Sequence, residues 1–168
     1  MNDNLYMAKA IQLAKEGLYT TQPNPRVGCV IVKDGQIVGE GFHARAGQPH
    51  AEVFALRQAA QHAQGATAYV TLEPCAHYSR TPPCANALVE AGVSRVVMAS
   101  LDSNALVAGK GQAILENAGI STTVGVLENE AKALNQGFFR RMQGGLPYVR
   151  LKTAASLDGR TAMQSGES

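Results

Sequence analysis

The chain is poor in charge and poor in cysteine. Of its 168 residues only 17% are charged, and Lys and Arg exceed Asp and Glu by +2. So small an imbalance argues against a nucleic-acid groove or a membrane surface as the main partner. No apolar run reaches the length that spans a bilayer. The opening "MNDNLYMAKA" lacks the basic start and apolar block of a secretory leader, so the cytoplasm is the expected location. Three cysteines, an odd number, do not make a disulfide framework and read as free thiols or metal ligands. Internal repeats and low-complexity tracts are also missing. With hydrophobic residues at 45%, one well-packed domain is expected.

Periodicity places the elements. Leu5, Ala8, Ile11, Ala14 and Leu18 share a helical face over Asp3–Leu18, and Gly17 marks a stop. The prolines of "PNPRVG" exclude helix there. "VGCVIVKDGQIVGEGFH" reads as a hairpin, because Asp34-Gly35 is a type I′ turn signal between two apolar runs. A helix is expected over His50–Gln64, a buried strand in "ATAYVTL", a helix over Pro83–Ala91 and a strand in "RVVMAS". Helix Gly109–Ala118, strand "ISTTV" and a single helix Leu127–Met142 follow. Strands alternating with helices imply a three-layer α/β/α domain over residues 1–145, with a mixed, largely parallel sheet and the hairpin at one side. "RMQGGLP" reads as a linker. Residues 146–168 start a strand and cannot build a core alone, so they are read as a disordered tail or the first strand of a second, truncated domain.

The chemistry-bearing residues lie at the ends of these elements. His50 opens a helix and Glu52 stands two residues later. Cys75 follows a buried strand, and Cys84 opens the next helix behind Pro82 and Pro83. A strand end and two helix starts can converge at one sheet edge. One imidazole and two thiolates suit zinc, and three protein ligands leave a fourth position for water, the pattern of a catalytic rather than a structural site. Glu52 sits beside the ligands without being one, where a carboxylate can take a proton from water and deliver it to a departing amine.

"HAE" followed by "TLEPC" and a later cysteine resembles the zinc-dependent cytidine deaminase superfamily. The gap between Cys75 and Cys84, "AHYSRTPP", is longer than the superfamily's usual two residues. With "PNPRVG" and "LVAGKG", it is similar to the deaminase domain of bifunctional riboflavin-biosynthesis deaminase/reductases. That resemblance implies hydrolytic removal of the 2-amino group of 2,5-diamino-6-ribosylamino-4(3H)-pyrimidinone 5′-phosphate. The partner is then a small pyrimidine ribonucleotide, not a nucleic acid or membrane; whether the chain is a homo-oligomer stays open. "LKTAASLDGRTAMQSGES" resembles the start of the NADPH-dependent reductase domain, in which Ala154 matches a cofactor-contact position and Ser168 a substrate-contact position. NADPH would belong to that largely absent domain.

Further residues have a functional and a local reading. Asn24, between two prolines, is a turn residue by default and a base-recognition residue by resemblance. His43 and His77 are either substrate contacts or local packing. Arg80 is a phosphate contact or a solvated loop charge, and Asp102 and Asn104 are substrate contacts or turn formers. Cys29 lies in a continuous apolar run and reads as core; His62 reads as solvated. "AGKG" fails the P-loop test, because Gly111 follows Lys110 where Ser or Thr belongs. Two rival functions stay open: a deaminase of cytidine, deoxycytidylate or tRNA, and a non-catalytic zinc module in which His77 supplies a fourth ligand.

Overall fold

The computed structural model describes residues 2–77, 82–103, 108–144 and 146–167. Five strands form one sheet in the order β2-β1-β3-β4-β5. They are β1 (Gly28–Lys33), β2 (Gln36–Phe42), β3 (Thr67–Val70), β4 (Arg95–Met98) and β5 (Ser121–Val124). β1 pairs antiparallel with both β2 and β3, while β3, β4 and β5 are parallel neighbours. Four strands therefore point one way and β1 alone runs against them, which gives the expected mixed sheet with the hairpin at its edge. The turn residues Asp34 and Gly35 both have positive φ, 50° and 78°, as a type I′ hairpin requires.

Side chains alternate between two apolar layers, because the strand period is two. Cys29, Ile31, Ala68, Val70, Val96 and Met98 face a layer built by α2 (Ala51–Ala59), α3 (Cys84–Glu90) and α4 (Lys110–Asn117). Val30, Val32, Tyr69 and Val97 face the opposite layer, covered by α1 (Asp3–Lys15) and α5 (Glu128–Leu134). This is the three-layer arrangement read from the sequence, with Cys29 in the core.

Two glycines fix how close α2 lies to the sheet. A Cβ on Gly39 would sit 2.1 Å from the Ala55 carbonyl oxygen, and one on Gly41 would sit 2.3 Å from that of Ala51. The helix backbone thus rests directly on β2, a distance only glycine allows.

Two expectations need correction. The helix from His50 stops at Ala59: Ala60 takes φ 48°, and a 3-10 turn, Ala60–Ala63, swings the fully buried Ala63 back onto the sheet. The single helix expected over Leu127–Met142 is two, α5 and α6 (Gln136–Met142), broken at Asn135 (φ −123°, ψ 31°). Asn135 breaks it because its side chain is engaged with the backbone of Arg26, as described below. Residues 146–167 carry neither helix nor strand and are exposed. A strand needs a paired neighbour, and these residues pair with none of the five. Among the described residues no helix is long and apolar enough to cross a membrane.

A charged network ties the far side of the sheet. Asp3, in the first turn of α1, accepts both guanidinium N–H groups of Arg95 at 3.0 and 2.8 Å, and the Tyr69 hydroxyl at 2.9 Å. Arg95 also donates to Thr123 at 3.0 Å, so α1, β3, β4 and β5 meet here. The Arg95 hydrogen bonds hold the Asp3 carboxyl below its ordinary value. Asp3→Asn is expected to cost about 1 kcal/mol at neutral pH, the pair being partly solvated, and to lower Tm by about 2–4 °C. Stability from ionised Asp3 is complete above the ordinary aspartate range and is lost as pH falls through the depressed pKa, so wild type and variant should converge in acid. Thermal melts at neutral and strongly acidic pH check this; a constant gap would remove the ion pair from the account.

Candidate active site

His50 stands at the N-cap of α2 with extended backbone, φ −75° and ψ 167°, but its side chain makes no capping hydrogen bond. The imidazole turns instead toward two sulfurs. Its Nδ1 lies 3.3 Å from Cys84 Sγ and 3.6 Å from Cys75 Sγ. Cys75 follows β3 by five residues, and Cys84 is the first residue of α3. The Cys84 backbone N–H, one of the donors a helix start leaves unpaired, donates to Cys75 Sγ at 3.2 Å. The Ala85 N–H donates to the Cys75 carbonyl. The long segment between the cysteines therefore does not separate them.

The three ligand atoms lie within 4.8 Å of one another, and this is the one such group of His, Cys, Asp and Glu among the described residues. His77 is outside it. The Cys84 thiol, hydrogen-bonded to Cys75, and then His50 bring the Cys75 thiol down to about 4. Cys84 moves the other way, held up by Cys75 and by burial. The hydrogen bond to Cys75 raises His50. One imidazole nitrogen and two sulfurs, one readily ionised, are a donor set that suits zinc.

Glu52 lies in the first turn of α2, 3% exposed, and its Oε2 has no hydrogen-bond partner. Burial pushes its carboxyl up to about 7. A buried, unpartnered carboxylate oxygen beside an electron-rich cluster is costly unless a bound group or a proton completes it.

His50, Glu52 and Cys75 line a cavity of about 360 Å³, together with Asn24, His43, His77 and Asp102. His43 is buried, and its ring meets His50 edge-on with centroids 5.2 Å apart. His43 Nδ1 faces the Pro49 carbonyl at 3.2 Å, and Nε2 faces Asn24 Nδ2 at 3.2 Å. A carbonyl only accepts, so the proton sits on Nδ1 and Nε2 accepts from the Asn24 amide. Burial lowers the His43 pKa, which keeps this neutral form. One N–H of Asn24 is thus committed to His43, which fixes the amide so that its Oδ1 is an acceptor for a ligand.

The zinc-binding-region model of the cytidine and deoxycytidylate deaminases matches residues 1–100. The chain belongs to the zinc-binding cytidine and deoxycytidylate deaminase family. Within it, the chain is similar to riboflavin biosynthesis protein RibD of Escherichia coli, 62% identical over 100% of this chain and 46% of that protein. It is 54% identical to the diaminohydroxyphosphoribosylamino-pyrimidine deaminase of Buchnera aphidicola, over 88% of this chain and 100% of that one. The crystallised RibD of Acinetobacter baumannii superposes with a TM-score of 0.91 at 68% identity, covering 99% of this chain and 47% of that one. The chain thus spans a little under half the length of the first and third and the whole of the second.

Of the residues singled out in the sequence, His50, Glu52, Cys75, Asn24, His43, His77 and Asp102 line one cavity, and Cys84 completes the cluster. Arg80, Asn104 and Ser168 lie outside the described residues. Ala154 is exposed and is not part of the cavity. Sequence reasoning missed Glu73, Phe138 and Met142, which also line it. Phe138 and Met142 come from α6, in which nothing but helical periodicity marked them. α6 is held there by Asn135, which accepts from the Arg26 N–H and donates to the Arg26 carbonyl, both at 2.8 Å. Arg141 adds a bond to the Pro23 carbonyl at 3.0 Å. These bonds join α6 to the segment that carries Asn24. Asn135→Ala is expected to cost about 1–3 kcal/mol, because it leaves partly buried backbone groups unpaired. It should also speed amide exchange at Arg26 in the deaminase. Unchanged melting and exchange would mean that packing alone holds this wall.

Proposed function

We propose that this chain removes the 2-amino group of 2,5-diamino-6-ribosylamino-4(3H)-pyrimidinone 5′-phosphate by hydrolysis, releasing ammonia, as a step of riboflavin biosynthesis in the cytoplasm. The observation that carries the reaction type is the unpartnered, buried carboxylate oxygen of Glu52, in a cavity it lines with His50 and Cys75 of the His50, Cys75 and Cys84 cluster. The substrate is supported by the Buchnera aphidicola relative, which consists of this domain alone and is named for that deamination. Reduction with NADPH is proposed, on the resemblance alone, for a second domain of which residues 146–168 would be the start.

His50, Cys75 and Cys84 would hold zinc, which when bound supplies activation of water at neutral pH and stabilisation of developing negative charge. Glu52 takes the proton from the attacking water, whose oxygen adds to the ring carbon bearing the amino group. The same carboxyl then gives that proton to the departing nitrogen as the carbon–nitrogen bond breaks. Its raised pKa suits both directions of transfer near neutrality. Asn24, oriented by His43, accepts from a ring or amino N–H. Phe138, Met142, Pro25 and Val27 supply an apolar wall for the planar ring. Asp102 and His77, which line the same cavity, are proposed substrate contacts, and Arg80 and Asn104 are proposed contacts on the resemblance alone.

Glu52→Gln keeps the shape of the side chain and removes its ability to carry a proton. It should keep the fold and bound zinc while turnover falls by at least about 10²–10⁴. Ammonia release and mass spectrometry of the product measure this; near wild-type turnover would take Glu52 out of the mechanism.

A further inference from the structure

Glu73 is the most heavily engaged buried charge in the described structure. It lies two residues before Cys75 in an otherwise apolar run and is 6% exposed. Oε1 accepts from the N–H groups of Gly111 at 2.8 Å and Gln112 at 3.2 Å, both in the first turn of α4. Oε2 accepts from the N–H groups of Asp102 at 3.1 Å and Gly109 at 3.0 Å. A structural helix cap would need only the first pair. The second pair gathers both ends of the 102–109 segment onto a single oxygen. α4 is also pressed against the same turn, since a Cβ on Gly111 would lie 2.0 Å from the Pro74 carbonyl oxygen. Four amides and the positive end of α4 offset the desolvation of this carboxylate.

We propose that Glu73 is a positioning residue that links the turn carrying Cys75 to the segment carrying Asp102, and so sets where Asp102 meets the substrate. This rests on the deaminase reading above. Glu73 takes no part in proton transfer. It fixes one reference frame for two parts of the cavity that come from different crossovers of the sheet, so that the Asp102 carboxylate is already in place when the nucleotide's N–H and O–H donors arrive. The function is positional, and its loss should appear in substrate binding before it appears in chemistry.

Glu73→Gln tests this on the zinc-loaded chain. The amide keeps one acceptor and puts an NH2 group against the other pair of N–H donors. KM for the pyrimidine substrate should rise about tenfold or more while kcat stays within about threefold and zinc content is unchanged. Combined with Asp102→Ala, Glu73→Gln should add no further rise in KM, because both act through the same contact. An unchanged KM, KM effects that multiply, or a fall of kcat together with zinc would each overturn the proposal. If Glu73→Gln yields no folded protein, amide exchange on the unmutated chain decides. The Asp102 and Gly109 amides should slow by a common factor on saturation with the deaminated product, and equal exchange with and without product would overturn it. Turnover by the unmutated chain is measured in parallel, and its absence would count against the deaminase reading instead.

Discussion

The site depends on how closely one helix can lie against the sheet. Gly39 and Gly41 let the backbone of α2 touch β2, and that contact fixes the depth of the helix start that carries both His50 and Glu52. Any side chain at either glycine would push α2 outward. His50 would then leave the two sulfurs, whose positions are set independently by the end of β3 and the start of α3. The cluster is thus a meeting of two separately anchored pieces, and its geometry is only as good as the packing beneath α2.

The rest of the cavity follows the same pattern of backbone groups held by single side chains. Asn135 ties α6 to Arg26, and Glu73 ties α4 and the segment after β4 to the turn before Cys75. His43 sets the orientation of Asn24 through its unprotonated Nε2, which accepts from the Asn24 amide. Each clamp joins elements far apart in sequence, so a small domain without disulfides builds a rigid cavity from hydrogen bonds to buried main chain. The apolar layers on both faces of the sheet supply the stability, and the clamps decide which residues face the ligand.

What was legible in the sequence was chemistry that is local. Asp34-Gly35 announced its turn, and alternating strands and helices announced the layers. His50, Glu52, Cys75 and Cys84 were readable because metal ligands and a proton carrier need specific side chains at element ends. Glu73 and Asn135 were not readable, because their partners are backbone groups 29 to 39 and 109 residues away. A signal existed for Glu73: a carboxylate inside "YVTLEPC" must be paired if that run is buried. Asn135 showed itself only as a poor helix former in an otherwise helical stretch.

His50, Cys75 and Cys84 are proposed to hold zinc as an open site, with a fourth position left for the reaction. Zinc K-edge absorption spectroscopy of the zinc-loaded chain addresses it most directly, because it counts the neighbours of the ion by element. Two sulfurs, one imidazole and one further light atom that exchanges with solvent are expected. A spectrum showing four protein ligands, or a zinc ion with no sulfur neighbour, would contradict the assignment of His50, Cys75 and Cys84 as a catalytic centre.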